Sequence, residues 1–322
     1  MSGKSPKNTR VVVLAGGHSA EKDVSLSSGK NVASACAEAG YAAVDLLDPA
    51  ADGFIQNLQE GNYDVAFVAM HGEGGEDGKI QGLLEWFGLP YVGSDVTASA
   101  CGADKNISKL LYAQEGLPIA RGCVVKRGDA IDVEAIVSEL GEKLFVKPAV
   151  NGSSYGISLV KSKGELLDAI ELAIANDEAG KALVEQCIEG VEVTVGVYGD
   201  DDIVALPVVE IRKPQDCEFY DSSVKYIDPS LVHRIPADID EASYKMVQEL
   251  AIDAHKALGC FGFSRTDFIV SEAGPVILET NTIPGMTDAS LFPDEVRHAG
   301  MSFSQVCDGL IQMALKRAGD SC

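Results

Sequence analysis

Three short apolar runs near the start of the chain, Arg10–Ala15, Ala42–Leu46 and Val65–Met70, are separated by segments of helical period. Between Glu21 and Glu38 the residues Val24, Ser28, Val32, Ala35 and Cys36 recur at helical spacing and stop near Gly40, and Phe54–Gln59 and Lys79–Phe87 continue the pattern. A continuous apolar run suits a strand covered on both faces, and strands alternating with helices build a parallel sheet. The spacing predicts a doubly wound parallel α/β unit over residues 1–95, closing near Gly93–Asp95.

At 322 residues the chain exceeds what one hydrophobic core usually organises, so further units are expected. A small central α+β unit is expected over 96–186, with a helix at Asp104–Glu115, strands at Leu144–Lys147 and Ser158–Val160, a helix at Gly164–Ala175 and a strand at Ala182–Gln186. The third unit, 187–322, holds strands at Val191–Val197 and Ile203–Val209, a helix at Asp240–Leu258, two strands around Gly274 and a last helix at Phe303–Arg317. It reads as α+β with a largely antiparallel sheet. Its polar stretch Arg212–Val232 is long for a plain connection, and such segments are usually lids, binding loops or disordered.

A net charge of −23 argues against nucleic acid and anionic membrane surfaces, because both are bound mainly through Lys and Arg. The eight cysteines include no C-x-x-C pair, and the five histidines show no metal-ligand spacing. Val11–Ala15 is too short for a signal-peptide core or a membrane span. A cytoplasmic protein with reduced, mostly buried thiols is expected.

The segment GFSRTDFIVSEAGPVILETNT, Gly262–Thr282, joins two alternating apolar runs at Glu272-Ala273-Gly274. A three-residue hairpin loop with glycine last would pair Ser271 with Pro275, and hence Asp267 with Glu279 and Arg265 with Asn281. All four side chains then share one face, whereas a two- or four-residue loop would split them. Two opposed carboxylates repel, and a cation is the natural compensation; Asp, Glu and Asn oxygens suit magnesium. A solvated strand face with ordinary charges remains the equal alternative.

FVKPAVNGSSYG, Phe145–Gly156, places Lys147 at a strand end before a Gly/Ser loop able to cradle phosphate, although such loops are also common turns. Neither a Walker A loop nor a strand followed by G-x-G-x-x-G occurs. MHGEGGEDGKIQG, Met70–Gly82, follows a buried strand at its carboxyl end, where open α/β sheets bind ligands. Its His71 is either a substrate-orienting group or a satisfied core histidine. In AGGHSAEKDVS, Ala15–Ser25, Glu21 sits in the first turn of a helix. The helix dipole explains a carboxylate there; holding a substrate ammonium is the functional alternative.

In order along the chain, these motifs resemble the D-alanine–D-alanine ligase branch of the ATP-grasp superfamily over essentially the whole length. The residues that carry the resemblance are GGHSAEKDVSLSSG (Gly16–Gly29), HGEGGEDGKIQGLLE (His71–Glu85), GLPYVGSD (Gly88–Asp95), Asp104-Lys105, VKP and GSSYG within Val146–Gly156, EGVEVTV (Glu189–Val195), FYDSSVKY (Phe219–Tyr226), Arg265–Asp267 and ETNTIPGMTDASLFP (Glu279–Pro293).

The resemblance implies an ATP-grasp fold of three subdomains, with ATP between the central and C-terminal units. It implies that Lys105 and Lys147 touch phosphates or nucleotide, that the strand end Glu185, Cys187 and Ile188 holds adenine, and that Glu192 holds ribose. Lys225 would close on the nucleotide, and Asp267, Glu279 and Asn281 would hold two magnesium ions, with manganese as a substitute. Arg265 would stabilise developing negative charge. Glu21, linked through Ser153 and Tyr226, would bind the ammonium of the first D-alanine, with His71 nearby. Ser290 and Leu291 would receive the second carboxylate, and Gly285 would help form the oxyanion site. D-alanyl-D-alanine for peptidoglycan, made through an acyl phosphate, is the implied product, and a homodimer the implied assembly. Two positions depart from the pattern. Tyr155 follows the Gly-Ser-Ser loop where the D-alanine enzymes usually carry valine and the ligases making D-alanyl-D-serine or D-alanyl-D-lactate usually an aromatic, and the loop reads YDSSVKY. A D-alanine–D-serine or D-lactate ligase is therefore the alternative, and a nucleotide-binding regulatory module is the rival from another class.

Overall fold

The computed structural model describes residues 5–150, 155–212 and 232–320. Strands β1 (Arg10–Leu14), β2 (Ala43–Leu47), β3 (Val65–Val68) and β4 (Tyr91–Val92) form a parallel sheet in the order β2-β1-β3-β4, with α1 (Lys22–Glu38), α2 (Phe54–Glu60) and α3 (Lys79–Trp86) in its connections. Every residue from Val11 to Leu14 is buried, as expected of a strand with helices on both faces.

The second sheet is antiparallel, with β5 (Gly122–Lys126), β8 (Lys181–Gln186), β6 (Leu144–Pro148) and β7 (Ser158–Val160) in that spatial order. Helices α6 (Val133–Leu140) and α7 (Leu166–Ala175) supply its core with Leu140, Leu166 and Ile170. Helices α4 (Val96–Ala103) and α5 (Lys105–Gln114) precede it in the chain but pack on the third unit. Tyr112 of α5 is buried with Val195, Phe268 and Ile277, and its hydroxyl meets Thr280 Oγ1 at 2.7 Å. The segment that holds α4 and α5 thus packs with the third sheet.

The third sheet runs β12 (His233–Arg234), β11 (Val209–Ile211), β9 (Val191–Gly199), β13 (Gly262–Ser271), β14 (Gly274–Asn281), with β10 (Val204–Ala205) beside β9. Helix α8 (Glu241–Leu258) covers one face. The strand expected at Ile203–Val209 is broken in two. Pro207 lies in the gap; beside Gly196 the ladder keeps the Leu206 N–H on the Gly196 carbonyl at 2.8 Å, while the Leu206 carbonyl accepts from Gln248 Nε2 at 2.9 Å and leaves the Gly196 N–H to another partner. Helix α9 (Leu291–His298) supplies it: Glu295 accepts the Gly196 N–H at 2.7 Å. Helix α10 (Phe303–Asp320) then returns to the first unit, where Leu310 and Ile311 join the core of Val11 and Phe67.

The hairpin reaches the expected pairing by a different route. Ser271 pairs with Gly274, not Pro275, which leaves only Glu272 and Ala273 in the connection. A shift between the Phe268–Ile277 and Asp267–Glu279 pairs, with Leu278 as the extra residue of a β-bulge, then restores Asp267 to Glu279 and Arg265 to Asn281. Leu278 and Glu279 are both half-buried, while Ile277 and Thr280 on either side are buried, so the alternation changes phase at the bulge. The expected three-residue turn was incorrect; the pairing it was meant to deliver is present.

Candidate active site

One cleft of about 440 Å³ gathers Glu21 and His71 from the first unit, Lys105 from the start of α5, Arg265, Glu279 and Asn281 from the hairpin, and Gly285, Ser290 and Leu291 from the segment after it. Local sequence explains each placement. Glu21 immediately precedes α1 yet makes no side-chain cap, so the helix start does not consume its carboxylate. Its Oε2 instead lies where a Cβ on Gly72 would come within 2.8 Å, and a larger residue there would displace it.

On the hairpin face, Asp267 is held by Arg265 at 3.1 and 3.2 Å, by the Asn281 amide at 3.2 Å and by Thr194 Oγ1 at 2.5 Å. Glu279 is paired with Lys105 at 3.0 Å. The repulsion expected between the opposed carboxylates is relieved here by side-chain cations, one for each acid. Because the Asn281 amide nitrogen donates to Asp267, its carbonyl oxygen remains for another partner. Among the described residues no group of three or more His, Cys, Asp or Glu side chains could hold a metal, so the donor set is two carboxylates and an amide. Hard oxygen donors of this kind fit magnesium, which leaves several positions to water and phosphate oxygens.

Lys147 and Glu185 are brought together, but away from that cleft's lining. Lys147 Nζ lies 2.8 Å from Glu185 Oε2, and Lys109, which the sequence reading missed, lies 2.6 Å from Oε1. All three are buried. Burial opposes the Glu185 charge, but the two ammonium groups outweigh it and hold the carboxyl below its ordinary value. Burial likewise works against Lys147, and Glu185 and Glu279 overcome it and raise its pKa. Lys109 goes the other way: burial and the charge of Lys147 depress it, because one carboxylate cannot satisfy two ammonium groups. Lys109 Nζ also donates to the Ile277 carbonyl of β14 at 3.4 Å.

Cys187 and Ile188 follow β8, with the Cys187 N–H on the Lys143 carbonyl at 3.1 Å, and Glu192 lies opposite Ile269 on β9. None of the three lines the cleft described above. Ser153, Lys225 and Tyr226 lie outside the described residues, as does most of the expected loop; its ends are joined by the Arg212 N–H to the Val232 carbonyl at 2.8 Å. Tyr155 is half exposed and lines the cleft.

His71 is buried, and its ring is engaged by protein: Nε2 lies 2.9 Å from Ser28 Oγ and Nδ1 3.6 Å from Glu76. Ser290 Oγ meets Thr287 N–H at 3.1 Å and would clash with a Cβ on Gly285, so Gly285 and Ser290 abut. Leu291 opens α9, and the first N–H groups of a helix lack intrahelical acceptors and favour anions. The sequence reading also missed Thr194 and Glu295. Thr194 was accessible in principle, since period two in EGVEVTV puts it on the face of Glu192.

A family model described as D-ala D-ala ligase C-terminus matches residues 111–312, and one described as D-ala D-ala ligase N-terminus matches residues 48–94. The chain is 42% identical over 312 residues to the D-alanine--D-alanine ligase of Syntrophobacter fumaroxidans, covering 97% of this chain and 99% of that one. It is 41% identical over 317 residues to the enzyme of the same description from Pelotomaculum thermopropionicum, covering 96% and 98%. Among solved structures, the D-alanine--D-alanine ligase of Bacillus anthracis complexed with ATP superposes with a TM-score of 0.81 at 28% identity over 97% of this chain and 99% of that one. The Coxiella burnetii ligase gives 0.81 at 27%, covering 97% of each.

Proposed function

The chain belongs to the D-alanine–D-alanine ligase family, and from that membership and the cleft described above we propose that it uses ATP to join two D-alanine molecules. It is an ADP-forming ligase with an ATP-grasp fold, and its product, D-alanyl-D-alanine, serves peptidoglycan synthesis. The observation that carries the reading is one cleft in which Arg265, Glu279 and Asn281 of the hairpin face stand together with Glu21 of the parallel unit.

The chemistry follows from those parts. The carboxylate of the first D-alanine attacks the γ-phosphorus of ATP, which gives an acyl phosphate and ADP. The amine of the second attacks that acyl carbon, and the tetrahedral centre collapses with loss of phosphate. Phosphoryl transfer asks mainly for alignment and charge neutralisation. Glu21 holds the first ammonium, and Arg265, fixed by Asp267 and Thr194, faces the developing charge. The Gly285 segment and the start of α9 receive the oxyanion and the second carboxylate. Asp267, Glu279 and Asn281 would hold magnesium, two ions in our reading, whose charge would draw electron density from the phosphates. Lys105 and Lys147 serve the nucleotide, with Glu185, Cys187, Ile188 and Glu192 along its adenosine side. Ser153, Lys225 and Tyr226 complete the set.

We further propose a cytoplasmic homodimer. The six described cysteines are free thiols, and no described helix is long and apolar enough to cross a membrane. Trp86 is 86% exposed on α3, an apolar side chain suited to contact with a second copy. Phosphate release from ATP offered with D-alanine, D-serine or D-lactate, with mass spectrometry of products, tests the reaction. D-alanyl-D-alanine should dominate; a product that forms only with D-serine or D-lactate would overturn the substrate assignment. Chelation by EDTA should stop phosphate release, and magnesium should restore it.

A further inference from the structure

The segment that carries Gly285 belongs to the third unit, but its backbone is held by the first. Met286 donates its N–H to Ser28 Oγ at 3.2 Å, and its carbonyl accepts from Asn31 Nδ2 at 2.7 Å. Ser28 and Asn31 lie three residues apart on α1, the spacing that puts two side chains on one helix face. Both ends of one residue's backbone are thus gripped by a rigid helix more than 250 positions earlier in the chain. The Met286 side chain is also buried in the first unit's core. No protein acceptor among the described residues takes the N–H of Gly285, the residue just before it.

The grip extends to His71. Ser28 Oγ lies 2.9 Å from His71 Nε2, and His71 Nδ1 faces Glu76 at 3.6 Å. The same Ser28 Oγ accepts from the Met286 N–H, so one hydroxyl joins the His71 ring to the Met286 backbone. Ser28 is fully buried, so losing its hydroxyl would leave the Met286 N–H and the His71 ring without that partner.

We infer that Ser28 and Asn31 are positioning residues that aim the Gly285 N–H at the oxyanion of the tetrahedral centre, so that the substrate-binding unit sets the geometry of the ligation step. This rests on the ligase reading above. A donor aimed at the transition state must be held before the reaction, and a mobile glycine gains that only from its neighbours.

The test compares the full-length chain with Ser28→Ala and Asn31→Ala. Asn31→Ala loses one neutral hydrogen bond of the grip and Ser28→Ala loses two contacts, so kcat should fall about tenfold or more in each, with KM for ATP within about twofold of the parent. A phosphinate dipeptide copies the tetrahedral centre, and its affinity should fall in parallel with kcat/KM across the three proteins. Simple loosening of the fold would lower the melting temperature without that parallel. Asn31 is half-buried and Ser28 is a small residue, so the two variants provide independent routes to a folded protein. Unchanged kcat in both variants, or a fall in kcat with phosphinate affinity intact, overturns the inference while the ligase reading stands. A parent protein that makes no dipeptide overturns the ligase reading itself, and this inference with it.

Discussion

Glu295 is fully buried on α9, accepts the Gly196 N–H through one oxygen and has no partner for the other among the described residues. Burial pushes its pKa from 4.5 up to about 8; Arg265 pulls it back, and Asp267 and Asp294 add to the rise. Between those values the native carboxyl keeps a proton that the unfolded chain has released. The native state therefore binds more protons, and stability falls as pH rises through the window: the contribution is complete below about 4.5 and lost by about 8. The slope is about 1.4 kcal/mol per pH unit, and the sum over the window is roughly 2 to 5 kcal/mol. Glu295→Gln keeps the shape and the bond to Gly196 but cannot ionise. Urea unfolding of both proteins between about pH 5 and pH 8 isolates this group, because all other titrations cancel in the difference. The two should be close at the acid end, and the variant should become the more stable by roughly 2 kcal/mol or more at the alkaline end. A difference that does not change with pH, or a variant that loses ground as pH rises, would refute the reasoning and make Glu295 an ionised partner of Arg265.

Glu279→Gln should lower phosphate release by roughly 100-fold or more, since it removes a carboxylate from the charge-neutralising set; full activity would mean the metal assignment is wrong. Gly196→Ala places a Cβ 2.6 Å from Glu295 Oε2 and 2.8 Å from Leu206 Cδ1 in a packed interior, and should cost about 1–3 kcal/mol in thermal or urea unfolding. Lys147→Met should raise KM for ATP about tenfold or more, whereas Lys109→Met leaves Glu185 paired with Lys147 and should change stability by less than about 1 kcal/mol. Equal ATP defects in the two variants would show that the triad, and not Lys147, meets the nucleotide.

The hairpin shows how sequence and structure divided the information. Its two strands, their shared face and the pairs Asp267–Glu279 and Arg265–Asn281 were legible, because period-two alternation is written locally. The turn was not. Ser271 pairs with Gly274, and the bulge at Leu278 compensates for the shorter connection. A bulge needs no marker residue in its own strand, so alternation alone could not separate a longer turn from a shorter turn plus a bulge.

By itself the sequence determined the alternating α/β start, the antiparallel hairpin and several residues that line the cleft, Glu21, Arg265, Glu279 and Asn281 among them, since these depend on local period and on motifs of a few residues. Tertiary structure alone decided that α4 and α5 pack on the third sheet, that Glu295 takes the Gly196 N–H, and that Lys109 shares Glu185 with Lys147. It alone decided that α1 grips Met286. Each of these joins side chains or backbone groups tens to hundreds of positions apart, and nothing in either local segment indicates its partner. Burial then makes such pairings energetically important, because a polar group removed from water must find its hydrogen bond wherever the fold supplies one.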